Sequence, residues 1–136
     1  MHRDLKGANI LVAKNGEMKL CDFGLSKSVA AARRPNLTTM VVTRWYRAPE
    51  LFLGDRKYSD KIDIWSVGCI FAEILTEGNV PFRGASDEET FKLIAQRCPF
   101  PTRNEWPELE HMPNFNAYHR SMYPKRPQSV IGTLEK

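Results

Sequence analysis

The chain has 136 residues, of which 42% are hydrophobic and 26% are charged, so it can bury a core and does not have the composition of a disordered segment. Its net charge of +4 comes from basic residues dispersed along the chain, which argues against a nucleic-acid partner. The most apolar stretch, IDIWSVGCIFAEIL, is too short to cross a bilayer, and the N-terminus lacks the layout of a signal peptide. We therefore expect no membrane association.

The cysteines indicate a reducing environment. Cys21, Cys69 and Cys98 are odd in number and lack a CxxC spacing, which argues against a disulfide framework or a zinc site. An intracellular protein is the expectation.

The first predicted element is a β-hairpin in ILVAKNGEMKLCDF. Two short strand-like runs flank Asn15-Gly16, a pair suited to the positive φ angles of a type I′ turn. Such a hairpin would bring the residues before Ile10 close to those after Cys21.

A surface loop and a helix are predicted next. Residues 24–40 are rich in Ser, Ala, Arg and Thr and have little periodicity, which is typical of a loop. Over 60–77 the apolar residues cover more than one helical face, which predicts a helix buried nearly all round. Ser59 or Asp60 would cap its start, and Gly78 would end it.

A second helix follows the sequence SDEE. Ser86 and Glu89 have the spacing of a capping box, and Pro99 and Pro101 would end the helix. Its predicted apolar stripe consists of Phe91, Ile94, Ala95 and Cys98. Beyond Thr102 the frequent prolines predict irregular chain with a frayed end.

The N-terminal residues carry a set of groups suited to phosphoryl transfer. That reaction needs a carboxylate near the attacking hydroxyl and oxygen ligands that hold Mg²⁺ against the phosphates. HRDLKGAN offers Asp4 as the base, Lys6 as a cation beside the phosphoryl group, and Asn9 as a metal ligand, while DFG offers Asp22 as the second ligand. The alternative reading of these residues is a polar turn beside a hairpin.

These motifs resemble those of the eukaryotic protein kinases. HRDLKGAN at 2–9, DFG at 22–24 and APE at 48–50 occur in the order of that family's signature elements. Lys6 is typical of the Ser/Thr type, and VVTRWYRAPE resembles the branch of cyclin-dependent and mitogen-activated kinases. The resemblance implies a mainly α, partial C-terminal lobe with a small β-hairpin (α+β), the cofactors ATP and Mg²⁺, and a location in the cytoplasm or nucleus.

The resemblance also implies roles in regulation and specificity. Thr38 lies at the activating phosphorylation position of cyclin-dependent kinases, where a phosphate would add about −1.5 to −2 charges and draw Arg3 and Lys27 together. An unmodified surface threonine is the alternative. Met40 stands where mitogen-activated kinases have a tyrosine, so the cyclin-dependent type, with a cyclin-like activator, is favoured.

Specificity for proline is the other implied property. The resemblance implies that Val41, Val42 and Arg47 shape a pocket for proline after the target residue, and hence protein substrates with Ser/Thr-Pro. Proline fits a pocket that has no free acceptor because it lacks an N–H. Pro99-Phe100 and the NVPF sequence depart from the pattern of this branch.

The sequence also predicts roles for His2, which begins the first motif, and for Cys21, which precedes the second. His2 is expected to be a packing residue. Cys21, beside Asp22, is either a reactive thiol near a nucleotide or, more commonly, a buried cysteine.

The chain would be a partial protein kinase domain over 1–136, comprising the catalytic loop, activation segment, central helix and following insert. The elements of the N-terminal lobe would precede residue 1, so we expect Met1 to be an internal methionine or the sequence to be a fragment. The last helices, with the arginine that usually pairs with the glutamate at Glu50, would follow the segment. Two hypotheses result: part of an ATP-dependent protein Ser/Thr kinase, inactive as an isolated chain, or a non-catalytic half-kinase interaction module.

Overall fold

The computed structural model describes residues 1–28, 37–102 and 104–122. Its regular elements are strands β1 (Ile10–Val12) and β2 (Met18–Leu20) and helices α1 (Pro49–Phe52), α2 (Lys61–Leu75), α3 (Asp87–Arg97) and α4 (Phe115–Met122). Short 3-10 helices occupy Gly7–Asn9, Arg44–Tyr46 and Leu109–His111. The predicted fold class, mainly helical with one hairpin, is confirmed.

The predicted hairpin is present as an antiparallel pair of β1 and β2. Ile10 lies opposite Leu20, and the N–H of Cys21 donates to the carbonyl of Asn9 at 3.0 Å, which extends the pairing beyond the strands. The hairpin therefore brings the end of the HRDLKGAN segment beside the start of DFG.

The predicted type of turn is wrong. Only Gly16 of the Asn15-Gly16 pair has a positive φ, of 84°, whereas a type I′ turn requires one at both positions. The N–H of Gly16 donates to the carbonyl of Ala13 at 2.9 Å, and the side chain of Asn15 accepts from the N–H of Glu17 at 3.1 Å. The loop spans residues 13–17 and is longer than the two-residue loop of a type I′ turn. In this loop Asn15 accepts with its side chain, and Gly16 alone takes the left-handed conformation.

Helix α2 begins and ends close to the predicted positions. At its start, the hydroxyl of Ser59 accepts from the N–H of Lys61 at 3.3 Å. At its end, Glu77 has a φ of 55° and the N–H of Gly78 donates to the carbonyl of Glu73 at 2.8 Å. This closure satisfies a terminal carbonyl of the helix in the manner of a Schellman motif.

One face of α2 is exposed, so the prediction of a helix buried nearly all round is wrong. The exposed α2 face consists of Ile64, Val67, Phe71, Ile74 and Leu75, which are 50–67% exposed. The opposite face is buried, with Ile62 and Ser66 at 0%. Apolar periodicity indicates that a face tends to be covered, and the described segments cover only one side of this helix.

Helix α3 has the predicted cap and the predicted stripe. The hydroxyl of Ser86 accepts from the N–H of Glu89 at 3.1 Å, and the carboxylate of Glu89 accepts from the N–H of Ala85 at 2.8 Å. Phe91 and Ile94 are fully buried. The first bond satisfies a donor of the first helical turn. Glu89 differs from the usual capping box, because it accepts from Ala85, one residue before the cap, and so fixes how the chain enters the helix.

Residues 115–122 form a helix, so the prediction of irregular chain beyond Thr102 is wrong there. The ring of Tyr118 lies 4.4 Å from that of Phe91 and 6.3 Å from that of Phe52, centroid to centroid. Such packing stabilises a helix that is too short to form alone. The predicted frayed end, and positions 29–36 of the predicted loop, lie outside the described residues.

The core contains residues of α1, α2 and α3 and of the segments that connect them. Its largest fully buried side chains are Leu53, Ile62, Thr90, Phe91, Ile94 and Leu109. Within the described ranges, no helix is long and apolar enough to cross a membrane.

Candidate active site

The HRD segment is held to the first turn of α2 by one carboxylate. Asp63 accepts from the N–H of His2 at 2.7 Å and from the N–H of Arg3 at 2.9 Å. Arg3 has a φ of 69°, a conformation that non-glycine residues adopt only where their surroundings hold them. These two hydrogen bonds fix the segment relative to the helix.

His2 joins the HRD segment to the DFG segment. Its Nδ1 accepts from the N–H of Asp4 at 3.3 Å, so Nε2 carries the proton and donates to the carbonyl of Cys21 at 3.0 Å. The residue is 7% exposed, and its ring lies 5.0 Å from that of Phe23, centroid to centroid. These contacts agree with the packing role expected of His2.

Asp4 accepts hydrogen bonds on both oxygens. Oδ1 accepts from the N–H and the hydroxyl of Thr43, each at 3.1 Å. Oδ2 accepts from Nζ of Lys6 at 2.8 Å and from Nδ2 of Asn9 at 3.3 Å. The four donors match the four acceptor positions of a carboxylate, so the group is held firmly in one orientation.

The same donors set the charge of Asp4. Burial raises the pKa of this carboxyl, but the hydrogen bonds from Lys6 and Thr43, together with the charge of Lys6, outweigh burial and leave the pKa below its ordinary value. Asp4 is therefore ionised at neutral pH, the state in which a carboxylate can accept a proton.

Lys6 lies between Asp4 and Thr43. Its Nζ is 2.8 Å from Asp4 Oδ2 and 3.1 Å from Thr43 Oγ, and its side chain is 28% exposed. Thr43 was not singled out by the sequence, because it lies 39 residues from Asp4 and no local pattern connects them.

Asn9 and Asp22 lie where the hairpin joins the two motifs. Nδ2 of Asn9 donates to the carbonyl of Asp4 at 2.8 Å, which leaves the amide oxygen as the group that can bind a cation. Asp22 has a φ of 60° and an exposed side chain, and its Oδ1 accepts from the N–H of Gly24 at 3.3 Å. One amide and one carboxylate are oxygen ligands of the kind Mg²⁺ takes, so both residues fit the predicted metal.

The described residues contain no larger cluster of metal-binding side chains. Over the described ranges, no three His, Cys, Asp or Glu side chains gather in a group that could hold an ion. Few protein ligands are usual for Mg²⁺, which keeps waters and binds substrate phosphates.

Arg3 and Thr38 are connected through Tyr58. Nη1 of Arg3 donates to the hydroxyl of Tyr58 at 3.0 Å, and that hydroxyl donates to the carbonyl of Thr38 at 2.7 Å. Lys27 is held by its main chain, since its N–H donates to the carbonyl of Met1 at 3.0 Å. Thr38 is exposed, and its binding of a phosphate together with Arg3 and Lys27 stays a prediction.

The predicted proline pocket is built around one guanidinium. Val42 has a φ of 66°, and its carbonyl accepts from Nη2 of Arg47 at 3.2 Å. The carbonyl of Val41 accepts from Nε of Arg47 at 3.1 Å. Arg47 thus occupies both carbonyls, and the structure brings together the three residues expected of the pocket.

The chain belongs to the protein kinase family, since the model of the protein kinase domain matches residues 1–131. It is 44% identical over 126 residues to cyclin-dependent kinase C-2 of Arabidopsis thaliana, which covers 93% of this chain and 24% of the relative. It is 43% identical over 122 residues to the probable cyclin-dependent kinase 9 of Caenorhabditis elegans, over 86% of this chain and 25% of the relative. The chain therefore spans about a quarter of the length of these curated relatives.

Two solved structures have the same fold. The yeast RNA Pol II CTD kinase CTDK-1 complex matches with a TM-score of 0.86 at 34% identity, over 99% of this chain and 43% of the other. The CAK complex of Chaetomium thermophilum bound to ATP-gamma-S matches with a TM-score of 0.77 at 33% identity, over 99% of this chain and 50% of the other. These matches confirm the resemblance to cyclin-dependent Ser/Thr kinases and the partial kinase fold.

Proposed function

We propose that this chain carries the catalytic segment of a proline-directed Ser/Thr protein kinase of the cyclin-dependent type, acting inside the cell. The observation that carries the proposal is the environment of Asp4, an ionised carboxylate that four donors hold in one orientation. Mg·ATP, when bound, supplies the phosphoryl group and neutralises charge on the phosphates. The names of the relatives support a cyclin-like activator.

Asp4 is the proposed base. A substrate hydroxyl must take the place of one donor, since all four acceptor positions of the carboxylate are in use. Lys6 is the donor suited to leave, because its side chain is 28% exposed, whereas the donor Asn9 on the same oxygen is buried. It would then bind a phosphoryl oxygen, while Thr43 keeps Asp4 oriented towards the substrate proton.

Asn9 and Asp22 are the proposed metal ligands. The main-chain hydrogen bond from Cys21 to Asn9 fixes the backbone at Asn9 and immediately before Asp22. The oxygens of the two side chains would hold Mg²⁺ when it is bound.

The proposed preference is for substrates with proline after the target residue. It follows from the hydrogen bonds of Arg47 to the carbonyls of Val41 and Val42, which leave neither carbonyl free to accept from the substrate. A residue with an N–H, placed against Val41 and Val42, would bury that donor without a partner, at a cost of about 1–3 kcal/mol. This corresponds to roughly a 5- to 150-fold preference for proline, which has no N–H to satisfy.

The test uses the natural full-length protein with its activating partner, Mg·ATP and a matched pair of Ser-Pro and Ser-Ala peptides. Asp22→Asn is expected to abolish phosphate incorporation, and Glu17→Gln, which removes an exposed carboxylate of the hairpin turn, is expected to preserve it. Wild-type protein should favour the Ser-Pro peptide. Undiminished transfer by the Asp22→Asn variant would contradict the metal assignment.

A non-catalytic interaction module is the second candidate, and the exposed α2 face favours it. Five large apolar side chains lie together on one helix face, as on a surface that binds a partner. If the protein is such a module, the Asp22→Asn variant will bind the partner as well as the wild-type protein does. The wild-type protein itself will transfer no phosphate.

A further inference from the structure

Asp87, the first residue of α3, binds two arginines, of which Arg47 belongs to the predicted proline pocket and Arg44 precedes it by three residues. Its Oδ1 accepts from Nε of Arg44 at 2.7 Å, and its Oδ2 accepts from Nη1 of Arg47 at 3.1 Å. The Arg47 side chain is only 10% exposed, so its charge has been taken largely out of water. A buried guanidinium of this kind needs a charged partner.

Arg47 has three acceptors, and only one is charged. Its Nε and Nη2 donate to the carbonyls of Val41 and Val42, and its Nη1 donates to Asp87. Across the described residues, Asp87 is the one carboxylate within ion-pair distance of Arg47. Since the guanidinium is planar and rigid, the contact with Asp87 also sets the direction of the other two donors.

Arg44 makes the same connection more rigid. Its Nη1 donates to the carbonyl of Ala85 at 2.7 Å, beside its ion pair with Asp87. Close by, Nε1 of Trp45 donates to the carbonyl of Gly84 at 2.9 Å. The start of α3 is therefore tied to the pocket segment by several contacts, of which Asp87 alone reaches Arg47.

We propose that Asp87 is a positioning residue that sets the preference for proline by holding Arg47 on the carbonyls of Val41 and Val42. This inference rests on the proposed kinase function. Without the carboxylate, Arg47 turns towards solvent and releases the carbonyl of Val42. That carbonyl then accepts the N–H of a residue other than proline, so the two substrates become more alike in rate.

The experiment measures the ratio of kcat/KM for Ser-Pro over Ser-Ala peptides in the natural full-length protein with its activating partner. Asp87→Asn is expected to lower the ratio about fivefold or more, chiefly through faster reaction of the Ser-Ala peptide. Glu88→Gln, which removes the exposed acid next to it, should leave the ratio unchanged. Asp87→Glu, which keeps both oxygens, should restore much of the preference.

A double-mutant cycle separates positioning from a general loss of structure. Arg47→Lys keeps a positive charge near Asp87 but cannot reach both carbonyls, so it should lower the ratio as Asp87→Asn does. If Asp87 acts through Arg47, the double variant will lose no more preference than the single variants. Additive losses would overturn the proposal.

Different results would contradict the role of Asp87 and the proposed kinase function. A wild-type protein that prefers Ser-Pro, with an Asp87→Asn variant of equal preference and equal melting temperature, would overturn the role of Asp87 alone. A wild-type protein that phosphorylates neither peptide, or both equally, would overturn the proposed function itself.

Discussion

Thr43 donates both its main-chain N–H and its hydroxyl to one oxygen of Asp4, each at 3.1 Å. The same hydroxyl oxygen lies 3.1 Å from Nζ of Lys6. A threonine of the segment between 37 and 48 therefore contacts both residues proposed to act on the substrate hydroxyl and the phosphoryl group. The orientation of Asp4 depends on whether this segment is in place.

Replacing Thr43 by Val removes the hydroxyl with little change of shape. The pKa of Asp4 should rise, because one of the hydrogen bonds that stabilise its anion is lost. The acidic limb of the pH profile of kcat/KM should therefore move to higher pH, and kcat should fall about tenfold, the effect of one hydrogen bond to a charged group. Thr43→Ser keeps the hydroxyl and should retain the wild-type profile; coinciding profiles for Thr43→Val and wild type would contradict this role.

Glu50 should make the 136-residue chain less stable as pH rises. Burial, with a smaller contribution from Asp55, raises the pKa of this carboxyl above its ordinary value, so the folded state binds the proton more tightly than the unfolded state does. The stability is full below the unfolded pKa and is lost as pH rises through the folded pKa. Thermal melts from pH 4 upward should show a smaller loss for Glu50→Gln than for wild type or for the exposed-site control Glu88→Gln, and parallel curves would refute this.

Gly84 and Gly68 form a matched pair for a packing test. A Cβ at Gly84 would clash with the backbone N atom of Thr90, whereas one at Gly68 would meet nothing within 4 Å. Gly84→Ala should lower the free energy of unfolding by about 1–3 kcal/mol. Gly68→Ala, inside α2, should raise it by about 1 kcal/mol. Urea unfolding curves measure both, and equal effects in the same direction would rule out the close approach at Gly84.

The sequence predicted the parts of the site that are local. Asp4, Lys6 and Asn9 lie within six residues of one another, and a hairpin with a clear turn signal brings in Asp22. The predicted type of that turn was wrong. The turn type depends on whether Asn15 takes a positive φ or accepts a hydrogen bond with its side chain, and the sequence allows both.

Long-range partners were beyond local pattern. Thr43 and Asp87 reach Asp4 and Arg47 across 39 and 40 residues, and no spacing rule connects such positions. Two errors about helices also arose from tertiary packing. Helix α4 was not predicted, and the aromatic contacts of Tyr118 support it. The burial of α2 was overestimated, because the described segments leave one of its faces uncovered. Periodicity shows which residues tend to be buried, and only the packing shows what covers them.

The most direct test of the central claim is the rate of γ-phosphoryl transfer to a Ser-Pro peptide by the Asp4→Asn variant of the full-length protein at saturating Mg·ATP. If Asp4 is the base, the rate should fall about 10²- to 10⁴-fold, while Asp60→Asn, at an exposed site, keeps the wild-type rate. A rate for Asp4→Asn within a few-fold of wild type would contradict the account, because the chemistry would then not depend on the carboxylate that the site is built to hold.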